Sequence, residues 1–311
     1  MKKENARTTV LALGVVLAAF ALPMNALATD VSGEISQDTT WTFSGSPYII
    51  TGDVTVNGGY TLTIEPGVSA KFEAATRLII LGKLVAKGTD TDRILFTSND
   101  PAPTKGSWGG IVAPGAASIR FATIEHADSG LSAAGGFFDG PFPHVTISDS
   151  LLRNNTRGFA YYAYVESTAD RCTFENNTYA VWGQLIAISN SIFTNNEYAF
   201  YGILRRSAVY SSTFTGNQVA LFSRDTRGEV KYSTISGNGT GVQGSYVSLS
   251  YNTIAANTIG IMQEFALPLG PLHHNNIYLN RTYNVQTGLF GVDATNDWWG
   301  TTDTPAIDAG I

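Results

Sequence analysis

Apolar and polar positions between residues 147 and 285 recur in a unit of about 21 residues. Each unit has an apolar residue, two variable residues, an Asn, two more variable residues, a small residue and a second large apolar residue. The Asn positions, separated by 22, 19, 21, 21, 19 and 23 residues, are Asn155, Asn177, Asn196, Asn217, Asn238, Asn257 and Asn280. A fixed period of this size predicts a solenoid in which each unit stacks on the next.

Three further columns keep register with the Asn series. Three residues before each Asn lie Leu152, Phe174, Phe193, Phe214, Ile235, Ile254 and Ile277. Five before lie Ser150, Cys172, Ser191, Ser212, Ser233, Asn252 and Asn275, and four after lie Phe159, Val181, Phe200, Leu221, Val242 and Ile261. The 3.6-residue period of a helix is missing, and short Thr-rich pieces ended by Gly-Asn or Asn-Asn favour strands and turns. The pattern predicts an all-β, single-stranded parallel β-helix with coils about 4.8 Å apart.

The Asn column has a structural explanation. Asn tolerates the left-handed backbone of a tight turn, and its amide can bond to the backbone or to the Asn of the next coil. We therefore interpret the column as a structural ladder, with the Phe and Ile columns filling the interior.

Residues 1–28 are predicted to be a Sec-type signal peptide. A basic start ends at Arg7, an apolar stretch runs from Val10 to Leu22, and Ala26-Leu27-Ala28 provides a small-residue cleavage site before Thr29. The apolar stretch is too short to span a membrane, and the mature chain has no second candidate. The protein is expected to be secreted, periplasmic or at the cell surface.

The mature chain, 29–311, is expected to form one domain. Its predicted parts are an N-terminal cap over 29–50, first coils over 51–127, a protruding Gly-rich loop over 129–143, the Asn-ladder coils over 147–285 and a C-terminal cap over 293–311. That last cap could continue in a longer chain. Function often lies on such a loop in repeat scaffolds; the alternative is a disordered spacer whose phenylalanines fold back over the neighbouring coils.

Charge and cysteine content narrow the partners. The signal segment holds 3 of the 19 basic and 1 of the 25 acidic residues, which leaves the mature chain at −8. This acidity argues against nucleic acid and anionic membranes as partners. Cys172 is the only cysteine and stands in the Ser column, which predicts a buried, inert thiol.

Several N-terminal motifs resemble secreted microbial right-handed parallel β-helix proteins of the pectin-lyase-like superfamily. They are Asp38-Thr39-Thr40-Trp41, Pro47-Tyr48, Thr51-Gly52-Asp53-Val54, Thr61 to Val68, Phe96-Thr97-Ser98 and Trp108-Gly109-Gly110-Ile111, and Asp293 to Gly300 is similar to their closing segment. The resemblance implies the right-handed fold. It does not select an activity, because that superfamily hosts lyases, hydrolases, epimerases and adhesins.

Enzymatic chemistry has weak support in the sequence. The Asn-x-Asp, Asp-Asp, Gly-His-Gly and Arg-x-Lys motifs of polygalacturonases are absent. A lyase would need carboxylates holding Ca²⁺ and a nearby base, yet the acidic residues form no column. The candidates for such a site are Arg205, Arg224 and Asp225, which could also be a solvated turn with weak ion pairs. No histidine stands at metal-ligand spacing, so no metal or other cofactor is predicted outside the lyase alternative.

An aromatic strip is the other candidate site. Trp182, Tyr201 and Phe222 each stand five residues after a ladder Asn. If the residue four after the Asn points inward, the next points outward, so the three rings would line one outer face. Exposed aromatics with polar rims bind sugar rings; the same residues could instead be covered by the 129–143 loop or a partner.

The sequence therefore predicts a binding, adhesive or structural module whose favoured ligand is a polysaccharide or cell-surface glycan. One alternative is a lyase or epimerase acting on an acidic glycan. Another is a passive stalk. Aromatics without convergent carboxylates favour the binding module.

Overall fold

The chain folds into a parallel β-solenoid of about 10 turns with about 22 residues per turn. The computed structural model describes residues 28–133, 144–161, 167–184, 186–202, 207–223, 228–264, 268–288, 291–308 and 310. This architecture confirms the all-β parallel β-helix predicted from the repeat.

Strands β1 to β12 precede the regular Asn-ladder coils. They are β1 (Thr29–Ile35), β2 (Thr39–Trp41), β3 (Tyr48–Val56), β4 (Thr61–Ile64), β5 (Ser69–Phe72), β6 (Arg77–Ile80), β7 (Lys83–Lys87), β8 (Ile94–Ser98), β9 (Trp108–Ala113), β10 (Ala116–Arg120), β11 (Ala122–Glu125) and β12 (Ala127–Ala133). A short 3₁₀ turn, Phe43–Gly45, lies between β2 and β3.

Strands β13 to β33 build the regular coils. They are β13 (Val145–Ser148), β14 (Leu151–Arg153), β15 (Arg157–Tyr161), β16 (Ser167–Asp170), β17 (Thr173–Glu175), β18 (Tyr179–Trp182), β19 (Ile186–Ser189), β20 (Ile192–Thr194), β21 (Tyr198–Gly202), β22 (Ala208–Tyr210), β23 (Thr213–Thr215), β24 (Val219–Ser223), β25 (Gly228–Lys231), β26 (Thr234–Ser236), β27 (Thr240–Gly244), β28 (Val247–Ser250), β29 (Thr253–Ala255), β30 (Ile259–Gln263), β31 (Leu272–His273), β32 (Asn276–Tyr278) and β33 (Tyr283–Gln286). The one described helix, α1 (Thr304–Asp308), follows them.

Each regular coil contributes one strand to each of three faces. The first face is an 11-stranded sheet that runs from β2 through β13 and β16 to β31. The second face carries the short strands such as β14 and β17, and the third face carries strands such as β15 and β18. The second and third faces together make a 22-stranded sheet within the described residues. Within each face, a strand therefore pairs in parallel with the equivalent strand of the next coil.

Inward side chains stack like on like along the axis. Phe174, Phe193 and Phe214 lie in successive coils with ring centroids 4.7 and 4.5 Å apart and ring planes within 3°. The two predicted interior columns, three before and four after the ladder Asn, are fully buried. Burial of one such side chain contributes roughly 1.5–3 kcal/mol, and repetition along the axis makes this the main source of stability.

The Asn ladder closes the turn between the second and third faces. The side-chain nitrogen of Asn177 donates to Oδ1 of Asn196 at 3.1 Å and to the Leu152 carbonyl at 2.9 Å. The same Asn196 oxygen accepts the backbone N–H of Asn177 at 2.9 Å. The pattern repeats to Asn280, and Ala127 joins it by donating its N–H to Asn155 Oδ1 at 2.9 Å. Side chains thereby satisfy backbone groups that the buried turn would leave unpaired.

The left-handed residue of that turn is the one before each ladder Asn. These residues, with φ between 54° and 67°, are Asn154, Asn176, Asn195, Gly216, Gly237, Ala256 and Leu279. No ladder Asn has positive φ in the described residues. The expectation that the ladder Asn itself takes this conformation is wrong, because its inward amide must instead reach the neighbouring coils.

A second ladder runs through the turn between the first and second faces. Ser191 Oγ accepts the N–H of Cys172 at 3.1 Å, and its own hydroxyl donates to the Ser189 carbonyl at 2.7 Å. Ser212 and Ser233 repeat this arrangement. Cys172 is buried, and burial raises the pKa of its thiol to about 12. The predicted inert thiol agrees with this environment.

The structure describes some of the predicted parts of the chain and not others. The 29–50 segment pairs into the sheets through β1, β2 and the start of β3. The predicted loop begins inside strand β12, and its remaining residues, 134–143, lie outside the described residues, as do residues 1–27 of the predicted signal. Within the described residues, no helix has the length and apolar character needed to cross a bilayer.

Candidate functional site

Two outward columns of the third face bring aromatic side chains together. The column five residues after the ladder Asn pairs Trp182 with Tyr201 and Tyr201 with Phe222, in β18, β21 and β24. The intervening residues four after the Asn, such as Val181 and Phe200, are fully buried. The predicted alternation of inward and outward positions is therefore present.

A second column, two residues after the ladder Asn, adds two tyrosines. Tyr179 pairs with Tyr198, and their rings stack with centroids 5.3 Å apart at 15°. Tyr201 packs edge-on against both, at 5.0 Å and 63° to Tyr179 and at 5.2 Å and 77° to Tyr198. Tyr179, Trp182, Tyr198, Tyr201 and Phe222 form what we call the aromatic cluster.

The rings of the cluster differ in what they present to solvent. Phe222 is 8% exposed and stacks against Tyr201 with centroids 4.7 Å apart at 5°. It therefore supports Tyr201 and offers no open ring face. Tyr179, Trp182, Tyr198 and Tyr201 are each partly exposed, so they are the members that a ligand can touch.

The tyrosine hydroxyls of the cluster supply polar groups beside the rings. Burial, followed by the nearby Glu197 carboxylate, raises the pKa of Tyr198. Tyr198 is therefore protonated at neutral pH and can both donate and accept a hydrogen bond. Apolar ring surface next to such hydroxyls is the combination that a sugar, with its C–H face and its hydroxyl rim, requires.

Arg157 borders the cluster on the side of the earlier coils. Its guanidinium carbon lies 5.7 Å from the Trp182 ring centroid, within cation–π range. Its NH1 donates to both carboxylate oxygens of Asp128, at 3.1 and 3.3 Å. One edge of the aromatic cluster thus carries a positive charge held by an ion pair.

The structure describes residues next to the predicted charged site but not the three predicted residues themselves. Arg205, Arg224 and Asp225 lie outside the described residues. The neighbouring Glu229 is described: its Oε2 accepts the Tyr210 hydroxyl at 2.6 Å, and it forms an ion pair with Lys231. The Lys231 ammonium, with the Tyr210 hydroxyl second, lowers the pKa of Glu229, so the carboxylate is ionised at neutral pH and is a weaker base than a free glutamate.

Sequence reasoning missed a polar cluster on the second face. Glu125 is buried, accepts the Thr97 hydroxyl at 3.0 Å and pairs with Arg153 Nε at 2.7 Å. His126 Nδ1 lies 3.4 Å from Thr97 Oγ1, and burial lowers its pKa from 6.5. The coil register was the available signal, since Thr97, Glu125 and Arg153 fall on successive strands.

A second missed cluster surrounds Asp149 at the turn between the first and second faces. Asp149 bonds to Arg120 at 2.9 Å and to Arg171 at 2.7 Å. The hydrogen bond from Arg171 is the main cause that lowers the pKa of Asp149 to about 2. Ionised pairs of this kind hold turns in place. Among the described residues, no group of three or more His, Cys, Asp or Glu side chains has the arrangement to hold a metal ion.

Comparison with known proteins bears on the first coils. Residues 33–139 match the family model described as the pectate-lyase like beta helix domain. These first coils are therefore similar to a pectate-lyase-like β-helix domain. The match confirms the family resemblance predicted from the N-terminal motifs, and it ends before the aromatic cluster begins.

Other likenesses are local or distant. A stretch of 66 residues, 21% of this chain, is 46% identical to Protein bark beetle of Drosophila melanogaster, and this spans 2% of that protein's length. A mannuronic acid specific polysaccharide family 6 lyase from human gut microbiota shares 11% identity at a TM-score of 0.39, over 88% of this chain and 76% of that chain. The A-module of the Azotobacter vinelandii mannuronan C-5 epimerase AlgE4 shares 18% identity at a TM-score of 0.32, over 88% and 87%. Values this low leave the ligand of this chain open.

Proposed function

We propose that the protein binds a glycan through the aromatic cluster on its third face. The observation that carries this proposal is the mutual contact of three partly exposed tyrosine rings on adjacent strands, Tyr179, Tyr198 and Tyr201. The partly exposed Trp182 ring lies on the same strand as Tyr179, beside the Arg157 guanidinium. The pectate-lyase-like domain of the earlier coils supports a carbohydrate-related role.

The fold itself does not require aromatic residues at these positions. The column that holds Tyr179 and Tyr198 continues in later coils with Val219, Thr240 and Ile259, and those coils keep the same strand pairing. Exposed aromatic surface costs solvation free energy that a smaller residue would avoid. A concentration of rings in two consecutive coils therefore favours a binding role over a packing role.

The shape of the cluster favours an extended ligand over a small molecule. The four partly exposed rings lie on two adjacent strands about 4.8 Å apart, on the outer surface of a sheet, and the buried Phe222 lies on the third strand. A polysaccharide lying along the helix axis would contact one coil after another. We expect binding of this kind to be additive over sugar units and weak per unit, as suits an adhesive module outside the cell.

The test is gel retention on a panel of immobilised neutral and acidic polysaccharides. We expect wild type to be retained by at least one polymer, and Trp182→Ala/Tyr201→Ala to lose about 30-fold in affinity, on the basis of roughly 1 kcal/mol per ring. The matched control is Tyr232→Ala/Tyr251→Ala, which removes two rings that are 61% and 50% exposed at another edge. Equal retention of wild type and the Trp182/Tyr201 variant would refute the proposal.

The same panel addresses the lyase or epimerase alternative built on Arg205, Arg224 and Asp225. New ultraviolet absorbance from unsaturated uronate, dependent on Ca²⁺, would identify a lyase, and a changed uronate composition without cleavage would identify an epimerase. Retention with neither change leaves binding as the activity. The predicted export signal remains a prediction.

A further inference from the structure

The third face has a notch next to the aromatic cluster, in the column that holds Tyr179 and Tyr198. Toward the earlier coils, that column continues through Arg157, Ser129 and Gly110 to Arg77. Each of these residues pairs with the next across adjacent strands. Two consecutive small residues, Gly110 and Ser129, stand between the two arginines. A pocket of about 350 Å³ opens beside Arg77 and Ser129, with Gly109 and Asp128 also in its lining. Its volume is within the roughly 300–1,000 Å³ range of ligand pockets.

Two glycines at the notch have no room for a side chain. Gly110 has φ of 108°, and a side chain there would collide with the Ser129 carbonyl. Gly109 also has no room for a side chain, because a Cβ at Gly109 would collide with the aliphatic stem of Arg77. The aliphatic part of Arg77 therefore lies across Gly109 at the edge of the pocket.

Arg77 is a cation without a matched anion. Among the described residues its guanidinium forms no ion pair; the neighbouring Asp53 carboxylate accepts the Arg77 backbone N–H at 2.9 Å instead. The other charged group that lines the pocket is Asp128. Both Asp128 oxygens are held by Arg157, so among the described residues that line the pocket the Arg77 guanidinium is the charge without an ion-pair partner.

Arg157 connects the notch to the aromatic cluster. It pairs with Asp128 at the pocket and lies over the Trp182 ring at the cluster. The neighbouring outward residues Ser132 and Ala160 are buried, so a ligand that joins the two regions must pass over Arg157. From Arg77 to Tyr198 the column spans five coil steps, about 24 Å.

We propose that the notch binds an anionic group, a carboxylate or a sulfate, carried by the glycan that the aromatic cluster holds. This inference rests on the proposed glycan function. Arg77 donates to the anion, while the small residues Gly109 and Ser129 in the pocket lining leave room for its sugar. Since a sugar unit in an extended chain is about as long as one coil step of ~4.8 Å, a ligand of about five units reaches both regions.

The experiment compares Arg77→Gln with wild type by titration of polygalacturonate, dextran sulfate and uncharged dextran. Arg281→Gln is the matched control, because Arg281 is exposed and forms no ion pair among the described residues. We expect Arg77→Gln to lose about fivefold in affinity for the polymer that carries the preferred anion, with a shallower salt dependence. Loss on polygalacturonate identifies a carboxylate and loss on dextran sulfate a sulfate. Dextran binding and the Arg281→Gln variant should stay at wild-type values.

A second variant tests whether the placement of the Arg77 guanidinium matters, and not only its charge. Gly109→Ala keeps the guanidinium but displaces its stem, and we expect it to reproduce the Arg77→Gln loss at unchanged thermal unfolding. Equal affinity of Arg77→Gln and wild type for both anionic polymers would overturn the inference, as would the same loss on dextran. If Arg77→Gln loses affinity while Trp182→Ala/Tyr201→Ala does not, anion binding at the notch is supported and glycan binding by the aromatic cluster is refuted. If only Trp182→Ala/Tyr201→Ala loses affinity, anion binding at the notch is refuted and glycan binding by the cluster is supported.

Discussion

The side-chain oxygen of Asn196 accepts two hydrogen bonds from Asn177, one from its backbone N–H at 2.9 Å and one from its side-chain nitrogen at 3.1 Å. Both residues are buried. We expect Asn196→Ala to lower the free energy of unfolding by about 2–4 kcal/mol, because it leaves several buried polar groups without partners. Denaturant titration measures this.

Asn280, at the last rung of the ladder, is the control for that change. It is only partly buried, so water can replace some of its bonds. Asn280→Ala should cost less than half as much as Asn196→Ala. Equal costs at the two positions would mean that the ladder stabilises through something other than burial of its hydrogen bonds.

Gly237 marks a place where the chain can be stabilised. Its φ is 67°, and a Cβ there would meet only Thr215 Oγ1, at 3.6 Å. Asn occupies the same turn position in other coils, such as Asn195. Gly237→Asn should raise stability by about 0.5 kcal/mol through a less flexible unfolded chain. Gly244→Ala, whose Cβ would collide with the Ser223 carbonyl, should instead cost at least about 2 kcal/mol.

Cys172 occupies a serine position of the second ladder. Its Sγ lies 3.5 Å from the Asp170 carbonyl, whereas Ser191 makes the equivalent bond at 2.7 Å. Cys172→Ser should therefore change stability by less than about 1 kcal/mol, as a serine there can bond in the same way. Native protein should resist thiol reagents and become reactive only on unfolding; rapid labelling of the folded protein would contradict the buried position.

His126 makes stability depend on pH. Its folded-state pKa is below 6.5, mainly through burial, with Glu125 opposing and Arg153 adding to the shift. The unfolded chain thus binds a proton more readily, and stability falls as pH decreases through 6.5 toward the folded pKa. His126 has a left-handed backbone with φ of 64°, and Asn154, with φ of 54°, shows that Asn fits such a position.

The variant His126→Asn tests that dependence. Between pH 7.5 and 5 we expect its unfolding free energy to fall less than that of wild type, while the two differ little in slope above pH 7. Parallel curves over the whole interval would show that His126 does not titrate differently in the folded and unfolded states.

Most of the fold could be predicted because residues at equivalent positions in successive coils have the same structural role. Phe174 and Phe193 share a column in the sequence and stack in the structure. The backbone of the turns was harder to foresee: Asn154, Asn176 and Asn195 take the left-handed conformation, and each stands one place before the ladder residue. Two adjacent Asn residues give no sequence signal that separates those roles.

The candidate site was predicted in part. Trp182 and Tyr201 were found because one outward column was followed, and Tyr179 and Tyr198 were missed because they lie in the other, which carries mixed residue types. Burial of Phe222 depends on ring packing with Tyr201, which a column of letters does not encode. The Arg77 notch depends on the missing side chain of Gly109, across which the Arg77 stem lies, and on strand pairing from coil to coil.

The stacking of like residues in both ladders also concerns how such a molecule can change in length. Because the ladder residues of each coil bond to the coils beside it, duplication or loss of one whole unit of 19 to 23 residues would join matching surfaces and preserve the hydrogen-bond pattern of the ladders. A partial unit would shift all later columns at once. The same freedom would carry the notch and the aromatic cluster closer together or further apart in steps of about 4.8 Å, so that coil number would set the length of glycan recognised.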